Sequence, residues 1–155
     1  MILLTSIVLL LTACEKDGPK PYVTVMPDRF MFTVLDSRGQ ALFTDPNQKV
    51  VLSLLQNGQN REIIDYRLEP FPPGFPLTGY AYSSRDAAMV SGNAGVRDFY
   101  LEMNGDVDTV YLEVEKYQQA NAAGGLYSYR KVRFNGQDIS EQYKPGVYIY
   151  VFQKR

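Results

Sequence analysis

Residues 96–116 read VRDFYLEMNGDVDTVYLEVEK. At the middle stands Asn104-Gly105, two residues that tolerate the positive φ a two-residue hairpin turn requires. After the turn, Leu112 and Val114 alternate with Glu113 and Glu115. A period of two with one apolar and one charged side is the pattern of a strand with one face on a core and the other in water. The stretch therefore predicts an antiparallel hairpin, with strands over 96–103 and 108–116.

The same grammar recurs along the chain. Asn57-Gly58 and Asn135-Gly136 repeat the turn dipeptide, and Asp36-Ser37-Arg38-Gly39 and Lys144-Pro145-Gly146 supply two further turns. Between them, Phe30, Phe32 and Val34 alternate with Met31, Thr33 and Leu35, and Val147, Ile149 and Val151 with Tyr148, Tyr150 and Phe152. Strands are expected over 22–26, 29–35, 49–56, 61–68, 79–83, 96–103, 108–116, 126–134 and 147–153. The segments 50–55 and 147–152 are apolar on both sides, which predicts central strands covered on both faces, whereas 61–68 and 108–116 should wet one face. Only 86–90 suggests helix, a single turn. About seven to nine short strands at this spacing predict an all-β fold, an antiparallel β-sandwich of Ig-like or transthyretin-like kind. Nothing divides residues 22–155, so they read as a single sandwich domain.

Composition narrows the chemistry. Sixteen Lys and Arg against seventeen Asp and Glu leave a net charge of −1, without the basic face nucleic acid asks for. The chain has no histidine, which removes Ser-His-Asp triads, Cys-His pairs and most zinc and iron sites. Its single cysteine, Cys14, rules out an intramolecular disulfide. No cofactor is expected.

Residues 1–13, MILLTSIVLLLTA, carry no charged side chain and are followed at once by Cys14, Glu15, Lys16 and Asp17. A membrane-spanning helix needs about 20 apolar residues, so a run this short suits a signal peptide better. The charges after Cys14 oppose a buried core thiol, and a catalytic thiol would lack its base.

Leu11-Thr12-Ala13-Cys14 resembles the lipobox of bacterial lipoproteins. The resemblance implies that residues 1–13 are cleaved and that Cys14 receives a diacylglyceryl group and becomes the first mature residue, with 14–21 as lipidated cysteine and tether. It departs from the pattern in having no Lys or Arg before the apolar run. In such proteins an Asp after the Cys favours the inner membrane; Glu15 instead points to the outer membrane, on its periplasmic or its exposed side. Each buried CH₂ contributes about 0.8 kcal/mol, so two or three acyl chains hold a protein effectively permanently. More loosely, FTVLDSRGQALF (32–43), NGDVDTVYLEVEK (104–116) and YRKVRFNGQDI (129–139) resemble small uncharacterised lipoproteins of the Bacteroidetes type. That resemblance implies a β-sandwich and no activity.

Four candidate sites follow from the residues. Asp106 and Asp108, near a tight turn, have the oxygen ligands Ca²⁺ prefers, although the Glu of an EF-hand loop is missing and turn stabilisation accounts for both. The loop LEPFPPGFPLTGY (68–80) holds four prolines with Phe71 and Phe75, a stiff apolar surface that would dock on a partner or cap the core. Tyr80 and Tyr82, Tyr127 and Tyr129, and Tyr148 and Tyr150 each share one strand face, an arrangement able to stack on a sugar or meet a protein. Carboxylate pairs of the kind a glycosidase uses are too numerous for any one to stand out.

These readings converge on a lipid-anchored envelope protein with a non-catalytic interaction or structural role, its partners the membrane through Cys14 and an envelope protein or a glycan. A carbohydrate- or ligand-binding module using the tyrosine faces is the alternative, and a small carboxylate-dependent hydrolase the third. Cells fed labelled fatty acid should label the protein, and Cys14→Ser should abolish both labelling and cleavage; a correctly cleaved, membrane-bound Cys14→Ser protein would refute the lipobox.

Overall fold

The computed structural model describes residues 29–117, 126–139 and 149–154. The predicted strand at 22–26, the turn at 144–146, Tyr148 and Cys14 lie outside these residues, as do the side chains of 116–117 and 126–128. The described residues form ten strands and one helix. In chain order the strands are β1 (Phe30–Leu35), β2 (Val51–Gln56), β3 (Gln59–Glu62), β4 (Tyr66–Pro70) and β5 (Tyr80–Ser84). After helix α1 (Arg85–Ala94) come β6 (Asp98–Met103), β7 (Asp106–Tyr117), β8 (Leu126–Phe134), β9 (Gln137–Asp138) and β10 (Tyr150–Gln153). They make a four-stranded sheet in the order β10-β1-β5-β4 and a six-stranded sheet in the order β3-β2-β6-β7-β8-β9. The two sheets pack together as an all-β sandwich.

The three Asn-Gly pairs do what their chemistry allows. Asn57, Asn104 and Asn135 have φ of 53°, 52° and 49°, and each is followed by a glycine also at positive φ. Two successive positive-φ residues match the right-handed twist of paired strands, and they close the β2–β3, β6–β7 and β8–β9 hairpins. At the Asp36 turn, the N–H groups of Arg38 and Gln40 both donate to Asp36 Oδ1, at 2.8 and 2.9 Å. The bond from the Gln40 N–H, opposed by desolvation and helped by Arg38, holds this carboxyl below its ordinary pKa.

Three expectations are corrected. The predicted strand 61–68 is two strands, because the chain crosses between sheets at 63–65: Ile63 is buried, and Ile64 next to it is 79% exposed. Among the described residues the segment 147–152 does not take a central place. Its strand β10 stands at the end of the described four-stranded order, where its described partner is β1, in parallel, the one parallel pair among the described residues. β2 is interior as expected, but one face only is closed, for Leu52 and Leu54 enter the core while Leu55 stands 58% exposed.

The helical turn expected at 86–90 grows into ten residues, α1, which carries the chain from one sheet to the other. Its ends are well capped: Ser84 Oγ accepts from Ala87 N–H, and Gly95 closes the C-terminus in the left-handed conformation. Ala87 and Ala88 enter the core, and the buried Ser91 Oγ donates to Leu112 O at 2.8 Å.

The core is aromatic at its centre. Phe32 stacks on Tyr82 at 4.8 Å and on Phe152 at 4.9 Å; Tyr82 continues to Tyr66, and Phe152 to Phe134. This column runs through β4, β5, β1 and β10 and ends on β8 of the opposite sheet. Phe32→Ala should cost about 3–5 kcal/mol in equilibrium denaturation, since a fully buried ring and its contacts are lost. Gly79, at φ 128°, lies so close to Phe43 that a Cβ would sit 2.6 Å from its carbonyl oxygen, which also accepts from Tyr80 N–H. Gly79→Ala should therefore destabilise by at least about 2 kcal/mol in the same measurement.

Candidate functional site

Most of the tyrosines singled out from sequence face the core. Tyr82 is fully buried, and Tyr80 on the same side of β5 is half-buried. Burial raises the Tyr82 hydroxyl well above the ordinary tyrosine pKa, neighbouring Tyr66 adds to this, and the Ser84 hydroxyl opposes it. Tyr150 is buried against Phe30 and Tyr129. Tyr129 turns inward because of a β-bulge. Glu113 pairs with Lys131 and Val114 with Tyr129, so Arg130 is an extra residue opposite them. One inserted residue reverses the alternation, placing exposed Arg130 outside and the Tyr129 ring against Phe30 at 5.6 Å. The side chain of Tyr127 lies outside the described residues. No open platform of paired tyrosines is formed by the described ones.

Phe71 and Phe75 stack on each other at 4.6 Å in the loop joining β4 to β5. The loop is closed by Phe71 N–H donating to Gly79 O and turned by Phe75 N–H donating to Pro72 O. Both rings are half-buried, so most of their apolar surface is spent on each other and the body of the sandwich.

Asp106 and Asp108 converge on a lysine. Lys154 follows β10, its N–H extending the β1 ladder by donating to Leu35 O at 2.9 Å. Its Nζ lies 2.9 Å from Asp108 Oδ2 and 3.3 Å from Asp106 Oδ2. The other Asp108 oxygen accepts from Asn135 Nδ2 at 2.8 Å, and Asn135 Oδ1 accepts from Thr109 N–H at 2.9 Å. The two acids thus share one ammonium and are held from three chain segments, which gives both a structural role across the end of the sandwich. Among the described residues no group of three His, Cys, Asp or Glu gathers for a metal ion.

The outer face of the six-stranded sheet is the open one. The corresponding side of the four-stranded sheet is closed, with Thr33, Ala81 and Ser83 fully buried. On the six-stranded sheet the alternation of β6 sends Phe99, Leu101 and Met103 inward and Asp98, Tyr100 and Glu102 outward. Register then decides the neighbours. Tyr100 pairs with Ser53 on one side and Thr109 on the other, Glu102 with Val51 and Val107, and Leu55 with Asn60. Ser53, Leu55, Asn60, Tyr100, Glu102 and Val107 line a shallow groove of about 320 Å³. Its apolar members are well exposed, Leu55 58%, Val107 63% and Tyr100 38%.

Beside the groove the same face is a charged lattice. Arg97 lies 3.7 Å from Glu113 and reaches the Tyr111 hydroxyl, which donates to Glu113 at 3.2 Å. The Arg133 guanidinium sits 5.3 Å from the centre of the Tyr111 ring, and Lys131 pairs with Asp138. The cations named here are therefore tied to partners in their own sheet.

The groove is not announced by paired tyrosines, since Tyr100 is its one tyrosine. The available signal was the inward set Phe99, Leu101 and Met103, which forces Tyr100 out. No protein-family model, curated protein or solved structure matches the chain at a significant level.

The Lys154 cluster makes a prediction about pH. Partial desolvation lowers the lysine's pKa, but the hydrogen bonds and charges of Asp108 and Asp106 outweigh it, so it stands above the ordinary 10.5. A raised pKa means the ammonium stabilises the fold below the unfolded value, and this contribution disappears as pH rises through the folded value. Lys154→Met should lower the thermal midpoint at pH 8, consistent with about 1–2 kcal/mol for stranding the nearly buried Asp108. The gap to the native protein should narrow above pH 10.5.

Proposed function

We propose that this protein is a non-catalytic binding module of the bacterial envelope, tethered to the outer membrane through lipid on Cys14. In this reading its outward working surface is the open face of the six-stranded sheet. The observation that carries the surface assignment is the exposure of Leu55, Tyr100 and Val107 side by side where an outward sheet face would ordinarily be polar. The Leu-Thr-Ala-Cys motif supports the anchor, and the short stretch 14–21 with two prolines would keep the domain close to the bilayer.

The test places a photo-crosslinking amino acid at Val107 or, as control, at Arg67 on the other sheet, in cells expressing the full chain. Cross-linking to envelope material from position 107 and not from 67 supports the assignment. Equal yields from both positions, or none, would reject it.

A further inference from the structure

We infer that the groove around Tyr100 is a binding site for a neutral saccharide, a deepening that rests on the surface assignment above. The chemistry of the lining is that of a sugar's two sides. A pyranose ring has an apolar C–H face and a rim of hydroxyls. Tyr100 offers an aromatic ring with Leu55 and Val107 beside it, and the rim would meet Glu102, Asn60 and Ser53. Glu102 can only accept, which suits adjacent hydroxyl donors; Asn60 can donate and accept; Ser53 can do either. Tyrosine is suited to this role because its ring is apolar and its hydroxyl is not.

Other occupants fit less well. The one ionisable lining group besides Tyr100 is the acid Glu102, with Glu62 and Asp98 also on this side of the sheet, so phosphate, sulfate and acidic polymers are disfavoured. A stable protein interface asks for about 800 Å² from each partner, whereas the open apolar surface here comes from three side chains and then gives way to the charged lattice around Tyr111. A greasy small molecule gains from enclosure of about 70–90% of its surface, which a shallow groove on a sheet does not offer. A volume of about 320 Å³ is instead of the size for one or two sugar rings with the rest of a chain lying outside.

The position also explains why the site survives in a twisted sheet. Tyr100 lies in register between Ser53 on β2 and Thr109 on β7, and the side chains of Ser53 and Thr109 are small. The ring therefore stands free of bulky lateral neighbours and needs no rearrangement to receive a flat ligand, which keeps the entropy of binding low.

The experiment titrates the full chain, in a sugar-free detergent, with hexasaccharides of β-1,4-glucose, β-1,4-mannose, β-1,4-xylose, α-1,4-glucose and β-1,4-N-acetylglucosamine, followed by calorimetry. At least one should bind. Tyr100→Ala should weaken it about tenfold, Tyr100→Phe less than threefold, and Glu102→Gln about fivefold. Tyr111→Ala, on the charged half of the face, should leave binding within about twofold. All three positions are on the outer face, so unchanged thermal midpoints accompany these results. Failure of every oligosaccharide to bind, or binding indifferent to Tyr100→Ala, overturns the saccharide site. If cross-linking at Val107 nevertheless captures an envelope protein, the binding face stands and its ligand is polypeptide; if neither occurs, both readings fall.

Discussion

Phe32 is the residue on which the rest of this structure depends. Its ring touches the neighbouring strand through Tyr82 and the edge strand through Phe152, and Phe152 in turn reaches Phe134 on the opposite sheet. In a chain with no disulfide, this stacked column is the physical tie between the two layers. Stacked rings contribute about 0.5–1.5 kcal/mol per pair beyond their burial, and they fix where the layers sit relative to each other because each ring has a preferred offset. The surrounding aliphatic residues, Leu52, Leu54, Leu101 and Leu112, fill the remaining space at full burial.

With the interior satisfied by one face of each sheet, the outward positions differ between the sheets in how far packing constrains them. The four-stranded sheet uses small residues outside, Thr33, Ala81 and Ser83, all fully buried. The six-stranded sheet is open, and within it the apolar groove and the ion-paired lattice sit side by side on β6 and β7. A hard, ladder-bonded surface of this kind presents its side chains in fixed rows, in contrast to the Phe71–Phe75 loop, where the two rings consume each other's surface.

The sandwich was largely legible from sequence because its signals are local. An Asn-Gly pair needs only its own two residues to favour positive φ, and β7 shows its inward set, Val110 and Leu112, without reference to the rest of the chain. What failed was non-local. Alternation tells which residues share a face but not which face is inside, so Tyr82 looked like a platform and is core. The bulge at Arg130 shifts parity by one residue, and no composition signal announces it. β10 looks central by its apolar content, yet its neighbour is chosen by a strand at the other end of the chain. Helix α1 is rich in Ala, Ser, Gly and Asn and has little apolar period; its caps, Ser84 and Gly95, were the readable trace. The Lys154 cluster gathers three segments far apart in sequence, which left Asp106 and Asp108 to be read as a possible cation site without their partner.

The pairing of β1 with β10 has a bearing on how the chain is made. Gln153 hydrogen-bonds to the Asp36 carbonyl across 117 positions, and every contact of the parallel ladder is comparably distant in sequence. Contacts of that separation form late, since a long loop has to close first. Synthesis delivers β1 first and β10 last of the described strands, so β1 spends that interval without its β10 partner and Phe32 without Phe152. An open edge beside exposed aromatic rings is a template for the wrong partner. Among the described strands β10 thus completes the sandwich, and a chain that stops short of Tyr150 loses both the β10 cover of β1 and the Lys154 clasp that fastens it.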